Sequence, residues 1–201
     1  MSTTAATTRL DDAALNLLFR QARSHKAWRD LPVPHALLRE MVELVQAGPT
    51  ATNSQPMRIV FVESKAGKER LRKALHAGNV AKMMSAPVTA IVAYDLDFHR
   101  HQARTFPHRD VATGYRTDPA HALDTALRNG TLQGAYLMLA ARALGLDVGP
   151  MSGFHNEFVD AEFFAGTPLR SNFLCNLGYA DHADLLPRQP RLGFDEICSW
   201  A

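Results

Sequence analysis

The sequence predicts an α+β domain, a mixed central β-sheet packed by helices, and three observations carry that expectation. Residues 58–63 (RIVFVE), 88–94 (VTAIVAY) and 173–179 (FLCNLGY) are short runs with the β-branched, aromatic and apolar composition of strands. Helical periodicity fills much of the chain around them. The two kinds of element intermix without strict βαβα alternation, which argues against a doubly wound sheet. A chain of 201 residues with no internal repeat, low-complexity tract or linker reads as a single domain over 1–201.

Taken in order, residues 1–14 are Thr/Ala-rich and read as a frayed lead-in to a helix, without the apolar stretch of a signal peptide. Leu15, Leu18, Phe19 and Ala22 recur at three- and four-residue spacing, so residues 12–22 form an amphipathic helix. Leu37, Leu38, Met41, Leu44 and Val45 repeat the pattern after Pro34, a favoured helix-start residue, and this helix stops near Gly48-Pro49. Strand 58–63 follows, then a helix over 65–76 with Leu71 and Leu75 on one face. Residues 88–94 are apolar nearly throughout, as a strand covered on both faces would be.

Residues 96–118 hold most of the surplus His and Arg, show no clean period, and read as a long irregular segment or lid. Residues 119–144 are strongly helical, with Gly145 suited to the C-cap. The second half of that helix (Leu132, Ala135, Tyr136, Leu139, Ala140, Ala143) is small and apolar enough for a buried central helix or for a seam between two copies. Residues 158–164 suggest another helix and 173–179 the last strand.

Composition narrows the function classes. A formal charge of +2 with no long basic run argues against nucleic acid as a partner. No apolar run approaches the roughly 20 residues of a membrane span, so a soluble, cytoplasmic protein is expected. Cys175 and Cys198 form no C-x-x-C pair and read as reduced thiols. Neither G-x-G-x-x-G after a strand, nor a P-loop, nor a G-x-S-x-G elbow occurs. His99, His101 and His108 lack well-spaced acidic or Cys partners, which argues against a metal.

Four segments remain that carry chemistry, and each taken alone also admits a plain structural reading. In ARSHKAW, Arg23 and Lys26 lie three apart with Ser24 between them, two cations and a hydroxyl suited to a phosphate. GPTATNSQP, from Gly48 to Pro56, is a loop without large apolar groups, and Asn53, Ser54 and Gln55 can address the edge of a polar heterocycle. Asn79 and Lys82 share a helix face. GPMSGF, from Gly149 to Phe154, lets backbone groups approach a flat ligand closely, because glycine has no Cβ to hold it off.

In that order the four segments resemble the FMN-dependent nitroreductase family over nearly the whole chain. The early Arg/His-Ser-x-Lys/Arg element is present as Arg23, Ser24 and Lys26, and the Pro-Ser/Thr-x-x-Asn-x-Gln-Pro loop as Pro49, Thr50, Asn53, Gln55 and Pro56. The Asn-x-x-Lys pair is matched by Asn79 and Lys82, and the stretch under the flavin ring by ALGLDVGPMSGF, which includes Pro150, Met151, Ser152 and Gly153. Arg188 matches the family's C-terminal phosphate-binding arginine, with Arg191 as the alternative. Ser152 stands where many members carry an acid. Together with the HKAWRD-like element and Thr105–His108 (TFPH), it makes the chain most similar to the malonic semialdehyde reductase, or 3-hydroxypropanoate dehydrogenase, branch of bacterial pyrimidine degradation.

The resemblance implies a nitroreductase-like fold, bound FMN, NADPH or NADH as donor, and a homodimer whose two subunits line the pocket. It also implies a ping-pong cycle, which agrees with the lack of a dinucleotide-binding fingerprint. Malonic semialdehyde is an anion at neutral pH, and Arg104, Arg109 and Arg116 are candidates by charge to position it. His108 or water is a candidate proton source. Broad nitro or quinone reduction, and flavin binding without turnover, are the alternative functions.

Overall fold

In the computed structural model, which describes residues 9–183 and 185–201, the first helix α1 (Asp12–Leu15) is capped by Asp11, whose carboxylate accepts from the Ala14 N–H. The lead-in expected over residues 1–14 lies, for residues 1–8, outside the described residues. The helix does not run on evenly to residue 22. Asn16–Arg20 widens into a π turn, and the Gln21 N–H reaches back five residues to the Asn16 carbonyl at 2.9 Å. Helix α2 (His35–Gln46) buries Leu38, Met41 and Val45, the three- and four-residue spacing that its sequence shows. Strand β1 (Met57–Val62), α3 (Lys65–Arg72, capped by Ser64) and α4 (Ala77–Ser85) lead to β2 (Val88–Asp95).

The stretch expected to be irregular contains two short helices, α5 (Gln102–Thr105) and α6 (Ala112–Thr117), too short to show a period. The 25-residue α7 (Pro119–Ala143) starts with Pro119 in its first turn behind the Asp118 cap. It ends at Gly145, whose φ of +80° is the left-handed conformation that glycine adopts freely. Strand β3 (Asp147–Met151), α8 (Asn156–Phe163), β4 (Leu169–Gly178) and the short α9 (Phe194–Ile197) complete the chain.

The four strands form one sheet in the order β1-β2-β4-β3, antiparallel at every pairing. The parallel element of the expected mixed sheet shrinks to a single bridge between Ser24 and Val148. Strand β3 occupies part of what reads as a loop in sequence. Among the strands it pairs only with β4, at the sheet edge, a place where Pro150 removes no needed ladder donor. The central β2 is covered on both faces, as its unbroken apolar run requires. Ala90 and Val92 meet α2 and α7 residues such as Val45, Leu137 and Ala141 on one side. Ile91 and Ala93 meet Leu71, Met83 and Val159 of α3, α4 and α8 on the other. Only one side of α7 is buried: Leu123, Leu127, Leu132 and Tyr136 on the other side are exposed.

Candidate functional site

The site is built on the free edge of β3. Residues 23–28 lie alongside that strand, with the His25 N–H donating to the Val148 carbonyl at 2.9 Å. Further along, the Arg29 N–H donates to the Tyr179 carbonyl at 2.8 Å and the Asp181 N–H to the Ala27 carbonyl at 3.0 Å. The approach depends on Gly149, because a Cβ there would stand 2.4 Å from the His25 carbonyl oxygen and 3.0 Å from Trp28 Cζ2. Arg188 donates to the Arg20 and Ala22 carbonyls at 2.7 Å each, satisfying acceptors that the end of the π turn leaves free. Arg23 in turn donates to the Leu186 carbonyl. The segment that follows β4 is thereby laced to the segment that follows α1.

The opposite wall comes from α4. Asn79 Nδ2 donates to the Gly153 carbonyl at 3.0 Å, and Lys82 Nζ donates to Asn79 Oδ1 at 3.1 Å. That carbonyl also accepts from the His76 N–H at 3.0 Å. A Cβ at Gly153 would lie 2.5 Å from Asn79 Nδ2, so the turn after β3 is closed against the helix only because residue 153 has none. Two buried polar side chains fix the helix from below. Asn176 on β4 donates to the Lys82 carbonyl at 3.0 Å and accepts from Thr89 Oγ1 at 2.7 Å. Lys68 donates to the Ala86 carbonyl beyond the helix end, and burial holds its pKa below the usual lysine value.

Between these walls lies a cleft of about 360 Å³ lined by Arg23, Ser24, Lys26, Asn79, Lys82 and Ser152, with Gly149, Pro150 and Met151 as its floor. Three cations face one carboxylate, that of Asp181, so the cleft favours an anion. The arrangement offers charge and donors at the Arg23–Lys26 side. At the other side it offers an edge strand with little side-chain bulk, together with the amides of Ser152 and Gly153, which have no partner among the described residues. It suits an elongated ligand with an anionic end and a flat end.

The cleft's lining also includes a histidine that its residue type does not single out in sequence. His25 is buried, with Nε2 3.3 Å from Asp147 Oδ1 and its ring 5.1 Å from that of His182. Burial lowers its pKa, His182, Arg23 and Arg142 add to that, and Asp147 opposes it. The signal available in sequence was only position, between Ser24 and Lys26. Leu185 and Leu186, which also line the cleft, carry no chemical signature at all.

Several residues expected at the site lie elsewhere. Arg188 grips backbone carbonyls and does not line the cleft; it holds in place the segment bearing Arg23. The loop with Pro49, Thr50, Asn53 and Gln55 leads into β1, the sheet edge opposite β3, and none of its residues lines the cleft. That loop is nonetheless elaborately held. Thr52, Asn53 and Gln55 have φ of 49°, 50° and 44°, a left-handed conformation that costs about 1–3 kcal/mol per non-glycine residue. It persists because Asn129 Oδ1 accepts from the Ala51 N–H at 2.8 Å, Gln133 Oε1 from the Met57 N–H at 2.9 Å, and Asn53 Nδ2 donates to the Thr105 carbonyl at 2.7 Å. Arg104, Arg109 and Arg116 belong to this far edge too, in the segment to which Asn53 is bonded. Among the described residues there is no group of three His, Cys, Asp or Glu side chains placed to hold a metal. No helix there is long and apolar enough to cross a membrane.

Comparison with known proteins bears on this geometry. A sequence profile described as the nitroreductase family matches residues 19–179, which includes both walls of the cleft. A Burkholderia lata protein called a "putative NADH dehydrogenase/NAD(P)H nitroreductase" is 56% identical over 190 residues, 94% of this chain and 97% of its own length. A Xanthomonas oryzae pv. oryzae protein of the same name is 58% identical over 187 residues, 93% of this chain and 95% of its own. Among solved structures, a Bacillus subtilis nitroreductase-like protein superposes with a TM-score of 0.85 at 25% identity, covering 94% of this chain and 99% of its own. An Exiguobacterium sibiricum structure solved in complex with FMN superposes with a TM-score of 0.82 at 19% identity, covering 97% and 100%, and shows the shared fold.

Proposed function

This chain belongs to the nitroreductase family, and from that premise we propose that it is an FMN-dependent NAD(P)H oxidoreductase that reduces malonic semialdehyde to 3-hydroxypropanoate. The observation that carries the flavin reading is the cleft on β3. Arg23, Ser24 and Lys26 from one segment and Asn79 and Lys82 from another converge on a floor kept low by Gly149. A phosphate would be held by Arg23, Ser24 and Lys26, a guanidinium, a hydroxyl and an ammonium of the kind that binds phosphoryl oxygens. Asn79 and Lys82 would address the ribityl chain and ring edge, and the free amides of Ser152 and Gly153 the reactive edge of the ring. FMN, when bound, supplies two-electron transfer between NADPH or NADH and the acceptor. The protein's own part is to orient that ring, and Lys82 favours negative charge at its pyrimidine end. His25 stays neutral at pH 7 and adds no charge of its own to the three cations.

The substrate reading rests on the branch motifs: Ser152 in place of an acid, the HKAWRD element and the TFPH segment. Overall, aldehyde, NAD(P)H and a proton become alcohol and NAD(P)⁺. The reading also explains why the Thr50–Gln55 loop is strained yet idle in its own cleft: in a homodimer it serves the cleft of a second copy. Exposed Leu123, Leu127, Leu132 and Tyr136 on α7 and exposed Leu192, Phe194, Ile197 and Trp200 beyond β4 are the apolar surface such a dimer would cover. A NAD(P)H donor and two free thiols fit a cytoplasmic location.

The names of the relatives favour NAD(P)H-dependent nitro reduction, and a second reading is accordingly broad nitro or quinone reduction. The visible spectrum of the purified protein comes first. A yellow protein bleached by anaerobic NADPH is expected, and a colourless protein that takes up no FMN sinks every flavin reading. NADPH consumption with malonic semialdehyde, nitrofurazone and a quinone then separates the two. Turnover of the last two without the first refutes the narrow assignment.

A further inference from the structure

Between α5 and α6, in the segment bonded to the Thr50–Gln55 loop, lies another cavity, of about 340 Å³, that shares no lining residue with the flavin cleft. Its lining combines Phe106, Val111 and Ala112 with Gln102, Arg109 and Arg116. Gln102 is only 2% exposed, yet its Oε1 has no hydrogen-bond partner among the described residues. Its Nε2 reaches no closer than 3.5 Å to Thr52 Oγ1. A buried amide left half-satisfied is unusual, since the large majority of such groups find a partner. The two arginines, both exposed, are open to a ligand as well. Arg100, nearby in the chain, is paired with Asp95 and Asp97, whereas Arg109 and Arg116 have no hydrogen bond or carboxylate partner among the described residues.

Asp110 also lines the cavity, but its carboxylate already accepts from the Thr113 hydroxyl at 2.6 Å and the Thr113 N–H at 3.2 Å. Those bonds lower its pKa, with a smaller contribution from the Arg116 charge, so it remains ionised and turned to α6. Two arginines against one engaged carboxylate leave the cavity with an excess positive charge. At neighbouring His101, burial and then Arg58, Arg100 and Arg104 lower the pKa, while Asp95, ion-paired to Arg58 and Arg100, opposes them. Apolar walls, a buried amide and two free guanidinium groups match a short aliphatic chain that ends in a carboxylate.

We propose that this cavity is a carboxylate subsite, in which Arg109 and Arg116 hold the acid end of a short oxo- or hydroxy-acid and the Gln102 amide meets its polar chain. The cavity is tied to the strained loop, because α5 ends at Thr105, whose carbonyl accepts from Asn53. Whatever cleft that loop enters, the subsite enters with it. Its use in catalysis rests on the function proposed above, while its binding of carboxylates does not.

Calorimetric titration of the full chain with malonate, and with malonamide as the uncharged control, tests the binding directly. Malonate is expected to bind at least tenfold more tightly than malonamide, and Arg109→Gln and Arg116→Gln are each expected to weaken it about tenfold, the loss of one charge-assisted pair. No malonate binding overturns the proposal, and so does binding that survives both substitutions, since the anion would then sit at Arg23 and Lys26. In the enzyme, Arg109→Gln should lower the ratio of kcat/KM for malonic semialdehyde to that for propanal about tenfold, mainly through KM. A protein that binds malonate through Arg109 but takes up no FMN would refute the flavin function and leave the subsite standing.

Discussion

Gly149→Ala is expected to pull apart the two segments that make the cleft. The added Cβ would sit 2.4 Å from the His25 carbonyl oxygen, so the backbone of residues 23–28 must retreat by about 1 Å to reach ordinary contact at 3.4 Å. Neither obstacle can swing away. One is a main-chain carbonyl, and the other is the ring of Trp28, only 9% exposed. A retreat of that size breaks the 2.9 Å bond from the His25 N–H to Val148. Overpacking costs about 1–3 kcal/mol and the lost bond about 0.5–1.5, so a destabilisation of about 2–4 kcal/mol is expected in urea unfolding. Arg23, Ser24 and Lys26 move with the backbone. Loss of one charge-assisted contact to phosphate, about 1.5–3 kcal/mol, weakens FMN binding about 10- to 100-fold in a fluorescence titration. Gly78→Ala on α4, where an added Cβ meets nothing within 4 Å, is the control and should leave stability unchanged or raise it by up to about 1 kcal/mol. Wild-type stability and FMN affinity in Gly149→Ala would refute this account of how the cleft is held.

Three further outcomes are expected. Asn176→Leu strands the buried Thr89 hydroxyl and removes one donor to the Lys82 carbonyl, and should cost about 1–3 kcal/mol in thermal unfolding, with FMN held more weakly because α4 loses its tie to β4. His25 has its pKa lowered by folding, so the unfolded chain takes up the proton first. The stability this histidine contributes is complete above its unfolded pKa of about 6.5 and is lost as pH falls through it, levelling off below the folded value. Denaturant titrations from pH 8 to 5 should show that loss, and His25→Gln should flatten it. Cys175 is fully buried, its thiol pushed up to about 12, whereas Cys198 is exposed; a thiol-specific chromogenic disulfide should label one cysteine in the native protein and both only after unfolding.

Where the fold was legible in sequence, a single physical cause dominated. The apolar run of β2 could satisfy nothing but burial on both faces, and the spacing of Leu38, Met41 and Val45 nothing but a one-sided helix. Where it was not, two causes competed. Pro150 and Gly149 mark β3 as a turn by composition, yet the strand exists because it sits on an edge and needs the absence of a side chain more than it needs propensity. Helices α5 and α6 are shorter than two turns, below the length at which periodicity can be seen.

The site divides along the same line. Arg23, Ser24, Lys26, Asn79 and Lys82 were readable because the chemistry and the geometry both sit within a few residues of chain. Arg188 was readable as a cation but not as a clamp, since its partners are the Arg20 and Ala22 carbonyls, and a π turn ending there leaves no trace in residue type. The Thr50–Gln55 loop presents the sharper case. Its amides and hydroxyls suit a ligand, its three left-handed residues are costly, and side chains from α6 and α7 hold it and the start of the strand it leads into: Tyr115, Asn129 and Gln133. That investment stands at the sheet edge opposite the cleft. Strain so heavily supported is, with the apolar face of α7, the ground on which the dimer is proposed. A second copy would bring to the cleft both the Asn53 amide and the arginine-lined cavity bonded to it. On that proposal flavin contacts would come from both subunits and acid recognition from the second alone, so no local stretch of this sequence would carry both.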